Sequence, residues 1–505
     1  MMKQTRQSTG ERRNEGEPIR ISKPNEQYSP KTIVLLKLLV FLPCLFLMLQ
    51  LNNDTWFLLN SGRYVLQHGI PTIEPFTLHQ NFSFVMQQWL TAVIFWVVYS
   101  KLGAAGLLAL VFLFYCAIVA VTWKLSWHLS EGNPVATFLA TLLTSVSLMI
   151  VMVTRPTVFT LFIIISELYF VERFIHSSKP AFLIPLPVLS ALLVNLHAAM
   201  WPMQFIVLLP YVVDSFRFKI GILEGEGYPK RFFFPALALM FAAGFLNPYG
   251  WSGMTYVFRS YGYQEISFVD EMQPVNINEA TGMFVFGVFF LVLACYLLNR
   301  QRTTKLRFVL LTLGTTILTL SSLRSVAIFF ICAYFPLAYL LRDVTLPESR
   351  IQSGKNTLRL RVVLGALVAI VAGSMIVQRV MIFDEKKELP TVSAAVNYLI
   401  AQEPQESMRL YMGYNEGGYG EFMGLRPYID PRAEIFVKKN NHVKDVMKEF
   451  YLLQTGQIYY KTVLDEYQFT HLIVAQTDIL AIYLPFDNDY QLIYRDDEYL
   501  VYRHR

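Results

Sequence analysis

Charge is scarce in this chain. Of its 505 residues only 16% are Asp, Glu, Lys or Arg, whereas soluble domains carry about a quarter. With 54% apolar residues and a mean hydropathy of +0.40, that shortage excludes an ordinary soluble domain and points to a polytopic membrane protein. Cysteine is scarce as well. Cys44, Cys116, Cys295 and Cys332 all lie in apolar segments with no CxxC pair, which excludes a disulfide framework and a cysteine zinc site. The net charge of +6 has no single basic face, so nucleic acid is not an expected partner. Internal repeats are missing, and no Gly-Lys-Ser/Thr follows the glycine-rich run Gly413–Gly420, so that run is not a P-loop.

What the chain does have is a series of long apolar segments. Candidate spans fall at 31–51, 104–122, 134–153, 156–171, 181–197, 200–216, 232–247, 281–299, 308–322, 324–341 and 362–381, about eleven transmembrane helices. Residues 1–30 are polar and lack apolar periodicity, as in a disordered tail. Basic residues recur in that tail, at 217–231, at 300–307 and at 342–361. The positive-inside rule places these in the cytoplasm and residues 384–505 outside. Segment 85–101 is apolar, but crossing there would invert every later loop. Its uninterrupted apolar core, 92–99, is short, so a helix lying at the outer surface is expected. The expected domains are a tail (1–30), a transmembrane domain (31–383) whose first external loop is 52–103, and an extracytoplasmic α/β domain (384–505). In that last domain helices are expected at 391–402 and 441–454, and strands at 409–411, 471–474, 491–494 and 499–502. The glycine-rich run between them reads as a tight backbone turn.

Polar residues collect at the outer mouths of these spans. The first is Asp54, at the end of the first apolar segment. An ionisable group at membrane depth is costly and usually faces a cavity, so it is a functional candidate, although an Asp there also suits a helix N-cap. Arg63 and Glu74 follow in the same loop. Further on come Arg155-Pro156, Asn195-Leu196-His197, the acidic loop residues Glu265, Asp270 and Glu271, and Arg324.

One family resemblance spans nearly the whole chain beyond residue 30. The run Asn53-Asp54-x-Trp56-Phe57, Gly62-Arg63, Gly69-Ile70-Pro71, Glu74-Pro75-Phe76-Thr77 and Gln88-Trp89-Leu90 resembles the first external loop of C-type (GT-C) membrane glycosyltransferases. Arg155-Pro156, Asn195-x-His197, Asn247-Pro248-Tyr249-Gly250, Ser322-x-Arg324, Gly417-Gly418-Tyr419 and Asp430-Pro431-Arg432-Ala433-Glu434 resemble a bacterial branch of that superfamily. The resemblance implies a multi-pass cell-membrane enzyme whose first-loop acid serves the reaction. The expected function is transfer of a sugar from a polyprenyl-phosphate donor to an extracytoplasmic glycan, polymer or protein. Glu74 stands where related sequences often have Asp, and neither an Asp-x-Asp pair nor a Lys-Pro-Pro step is present. No clear divalent-cation motif remains. Asp54 with Glu74, or either with Asp270 or Glu271, is the set that could form one.

Asp54 is the expected general base, with Glu74 or His197 orienting the acceptor. Arg63, Arg155 and Arg324 are the expected phosphate ligands, because a guanidinium fork matches phosphate geometry. Asn195, Glu265 and Asp270 complete the expected substrate contacts. A transporter or assembly scaffold for a lipid-linked glycan is the alternative. It would carry its polar groups at the midplane and in two related halves, whereas these gather at one face. The topology has a direct test: a cysteine at Ser100 should label from outside, and one at Ser130 only from the cytoplasmic side. Labelling of both in the opposite sense would refute it.

Overall fold

The computed structural model describes residues 28–45, 51–259, 270–297, 303–344, 389–404 and 408–505. Helices account for most of them. Those at Pro134–Leu148, Thr157–Ser177, Pro185–Leu196, Trp201–Asp214, Lys230–Ala243, Ala280–Leu297, Leu306–Ser321 and Val326–Leu340 fall on expected spans. Trp89–Leu129, Ala280–Leu297 and Leu323–Leu340 are long and apolar enough to cross a membrane. The expected span at 362–381 lies outside the described residues.

The segment expected to lie at the surface runs directly into the next expected span. One helical stretch covers Trp89–Leu129, broken only at Gly103, whose φ of 61° and ψ of −161° are non-helical. A residue with a Cβ is strained there. Ser130 is fully buried and shares a 2.9 Å hydrogen bond with Thr137, so exposed Lys179, near it because His128 packs on His176, is the better labelling site for that end of the bundle.

Ahead of that stretch stands the helix Asn53–His68. It begins at a capping box in which the Asn52 side chain accepts from Asp54 N–H and Thr55 Oγ1 accepts from Asn52 N–H. The cap is therefore Asn52, and Asp54 sits in the first turn. The two helices press together at Gly62, where a Cβ would come within 2.0 Å of the Ala92 carbonyl oxygen.

The C-terminal region holds a mixed sheet of β4 (Leu410–Tyr411), β5 (His471–Ala475), β6 (Tyr490–Arg495) and β7 (Tyr499–His504). Three strands, β1 (Phe218–Ile220), β2 (Leu223–Gly225) and β3 (Thr304–Lys305), precede them in a separate small sheet. The order is β4-β5-β7-β6, with β4 parallel to β5 and the other pairs antiparallel. The β6–β7 hairpin turns where Asp496 accepts from Glu498 and Tyr499 N–H. Helices Ser393–Gln402 and Val446–Gln454 match expectation, the second starting five residues late; Tyr460–Tyr467 was not foreseen. The glycine-rich run is only partly a turn, because its second half is the short helix Gly417–Phe422. Its glycines permit close approach: a Cβ on Gly417 would lie 1.9 Å from the Ile429 carbonyl oxygen.

That short helix leans on Asn53–His68, where Trp56 packs edge-on to Tyr419 with ring centroids 5.0 Å apart. The loop after Asn53–His68 is threaded onto the same region. Leu78 N–H donates to the Pro427 carbonyl, and His79 pairs with the Tyr428 carbonyl at 2.7 Å. At the joint, Arg432 is buried among three carboxylates. Its Nη2 lies 2.6 Å from Asp430, 2.6 Å from Glu421 and 3.1 Å from Glu74, and its Nε donates to Asp430 at 2.9 Å. The rings of Phe57, Phe76 and Phe84 surround the guanidinium. Burial pushes the Glu421 pKa well above the usual glutamate value, even with Arg432 beside it. Removing one partner of a buried ionic cluster costs about 3–5 kcal/mol. Arg432→Met should therefore lower the thermal midpoint of the purified protein sharply; an unchanged midpoint would deny this joint its role.

Candidate active site

A cavity of about 360 Å³ opens beside the start of Asn53–His68. Several separate segments supply its polar lining, which also includes Gln88, Glu271 and Thr281. Asn52 and Asp54 come from the capped helix start. Arg155 comes from the turn before Thr157–Ser177, and this turn is tied to the cap because Asn52 N–H donates to Thr154 Oγ1 and Thr55 shares a 2.6 Å hydrogen bond with Thr154. His197 ends the helix Pro185–Leu196. Arg324 sits in the 3₁₀ turn Leu323–Ser325, which is clasped to the acidic loop by Leu323 N–H to the Gln273 carbonyl and Ser322 Oγ to the Glu271 carbonyl. Ile150, Val151, Leu323 and Val326 form an apolar wall. A smaller pocket adjoins it, sharing Asp54, Phe57, Gln88 and Arg324 and adding Arg432 and Glu434 from the C-terminal region.

Arg155 organises the acids. Its Nε lies 2.8 Å from Asp54 Oδ2, and its Nη1 pairs with Glu271. The Asp54 carboxyl is a quarter exposed, toward the cavity. Withdrawal from water is the largest influence on it and Glu271 adds to that, so its pKa rises to about 6 although Arg155 and Arg324 pull the other way. Arg324 is less committed: its Nη1 is 3.9 Å from Glu434, and a third of the side chain is exposed. His197 is buried, with Nδ1 2.9 Å from the Thr160 hydroxyl.

The structure thus brings Asp54, Arg155, His197 and Arg324 to one cavity, and leaves other expected residues elsewhere. Glu74 is fully enclosed. One carboxyl oxygen takes Phe76 N–H and Arg432, and the other takes the N–H and hydroxyl of Thr77, so it has no capacity left to orient an acceptor. Arg63 donates to Asn60 and to the Phe422 carbonyl and lies over the Trp96 and Phe422 rings, fastening the short glycine-rich helix. Asn195 accepts from Trp89 Nε1 and donates to the Ala191 and Leu246 carbonyls, fastening two helices. Glu265 and the side chain of Asp270 lie outside the described residues. Gln88 and Glu434, visible only as parts of their motifs, also enter the site. Glu271, named as a possible cation-site partner of Asp54, is here a partner of Arg155.

Among the described carboxylates, a divalent cation does not fit the donors present. The Arg155 guanidinium occupies the space between Asp54 and Glu271, and Arg432 holds Glu74 apart from both. Among the described residues no group of three or more His, Cys, Asp or Glu side chains is placed to hold a metal.

No protein-family model matches the chain, and no curated protein does so by sequence. Solved structures do match. An oligosaccharyltransferase from Archaeoglobus fulgidus, tethered to an acceptor peptide containing an NVT sequon, aligns with a TM-score of 0.55 at 12% identity, over 95% of this chain and 75% of that one. ArnT from Cupriavidus metallidurans in its apo state aligns with a TM-score of 0.55 at 13% identity, over 94% of this chain and 97% of that one. The same enzyme bound to undecaprenyl phosphate gives 0.51 at 14% identity, with the same coverage. The chain therefore shares the fold of these oligosaccharyltransferase and ArnT structures.

Proposed function

We propose that this protein is a membrane glycosyltransferase that moves a sugar from a polyprenyl-phosphate carrier to an acceptor hydroxyl or amide outside the cytoplasm. The observation that carries this reading is the pairing, in one cavity, of a carboxyl raised to about pKa 6 with an arginine less committed to protein partners. A base works best with a pKa near the operating pH. Asp54 Oδ2 is held by Arg155, and Oδ1 remains to accept the acceptor's proton as its heteroatom attacks the anomeric carbon. The bond from that carbon to the carrier phosphate breaks, and its electron pair stays on the phosphate oxygen. Arg324 meets the negative charge there, and Arg155, already balanced by two acids, fixes the base. The apolar wall at Ile150, Val151 and Val326 suits the first units of a polyprenyl chain. The cytoplasmic N-terminus and the extracytoplasmic placement of residues 384–505 belong to the same reading.

Asp54→Asn tests the base. The substitution leaves the Asn52 cap intact, so the variant should insert and melt like wild type. Its transfer rate should fall by roughly a hundred- to ten-thousandfold, the usual worth of a general base. In the wild type, kcat/KM should rise with pH through about 6, because the base acts only when deprotonated, and the variant should lose that limb. A fully active Asp54→Asn enzyme would remove the assignment.

Arg324 has its own test. Arg324→Lys keeps the charge and loses the planar fork, so affinity for polyprenyl phosphate should weaken with the fold retained. Unaltered binding by both Arg324→Lys and Arg324→Ala would give the phosphate to another residue.

A further inference from the structure

A second cleft, of about 350 Å³, lies in the C-terminal region on the far side of the Gly413–Glu416 loop. It opens where the parallel strands β4 and β5 end, the usual place for a ligand crevice beside parallel strands. Gly413, Asn415 and Glu416 follow β4, and Thr477 and Asp478 follow β5. The third side is the helix Val446–Gln454, which presents Phe450, Tyr451 and Gln454.

Its chemistry is specific. Phe450 and Tyr451 are half-buried aromatic side chains in the lining, beside Tyr414. Asp478 is locked in place: one oxygen accepts Leu480 N–H, and the other accepts Tyr411 hydroxyl at 3.1 Å and Gln454 Nε2 at 2.8 Å. That network commits the Gln454 amide nitrogen and leaves its oxygen as an acceptor. Asn415 is exposed and adds both a donor and an acceptor. No Lys or Arg lines the cleft, while two carboxylates do. Phosphates and acidic polymers are therefore repelled, which also separates this cleft from the Arg324 cavity. Aromatic rings beside one fixed amide, one exposed amide and two carboxyls match a pyranose, which has one C–H face and a rim of hydroxyls. The wall is shared with the transfer site: Tyr414 donates its hydroxyl to the Pro431 carbonyl, and Pro431 lines the small pocket next to Asp54.

We propose that this cleft is a subsite for an uncharged sugar residue of the acceptor glycan, held one wall away from the point of transfer. The proposal rests on the glycosyltransferase reading above. It is tested with the full-length protein in detergent over immobilised neutral oligosaccharides ending in glucose, galactose, mannose or N-acetylglucosamine, with sialylated chains as the anionic comparison. Wild type and Asp54→Asn should retain the same neutral glycans. Phe450→Leu keeps apolar volume without the ring, and Asn415→Ala changes an exposed side chain; each should weaken retention by about tenfold or more, as loss of an anchoring contact does. Polyprenyl-phosphate binding should be unaltered in both. If Phe450→Leu does not fold, Asn415→Ala decides alone. Failure of wild type to hold any neutral glycan, preference for the sialylated chains, or unchanged retention by the variants would overturn the subsite. An active Asp54→Asn enzyme with normal glycan retention would instead overturn the base and leave the subsite standing.

Discussion

A single buried guanidinium decides how the two halves of this chain meet. Arg432 draws one carboxylate from the first loop, Glu74, and two from the C-terminal region, Glu421 and Asp430, into a space walled by Phe57, Phe76 and Phe84. Such a cluster costs a large desolvation energy that only close geometry offsets. Because Phe57 also lines the cavity beside Asp54, that arrangement sets the mouth of the site. Trp56 against Tyr419 and His79 against the Tyr428 carbonyl secure the same joint through packing and hydrogen bonding.

The site itself is a balance of charges around Arg155. One cation faces Asp54 and Glu271 while a second, Arg324, stands nearby with a longer contact to Glu434. Two kinds of arginine result. Arg155 is saturated by two carboxylates, whereas the contact of Arg324 with Glu434 is long and its side chain is partly exposed. Burial then keeps Asp54 basic enough to take a proton near neutral pH.

Much of this was legible in the residues. Apolar length marked the helices, and short apolar or tyrosine-rich runs marked β5, β6 and β7, because both patterns follow from burial. Asp54, Arg155, His197 and Arg324 were legible as costly polar groups at helix ends. Glu74 and Arg63 were misread for one reason: a buried structural ion pair and a ligand-binding charge look alike until their partners are known. Their partners, Arg432 and the Phe422 carbonyl, lie 358 and 359 positions away. The helix Gly417–Phe422 was missed in part because glycine lowers helix propensity, and only the close approach to Ile429 and Asn53–His68 explains its use there. The true cap, Asn52, was within reach of the ordinary N-terminal signal, but the acid two residues on drew the role.

The second pocket at Asp54 borrows Arg432, Glu434 and Ile435 from near the end of the chain and Phe84 to Gln88 from near its beginning. A nascent chain therefore carries the Asp54 carboxyl long before it carries the wall that encloses it. Contacts between such distant positions form late in folding, since the intervening loop must close first. A chain stopped before residue 430 would therefore keep Asp54 and lack the residues that wall this pocket from the C-terminal region.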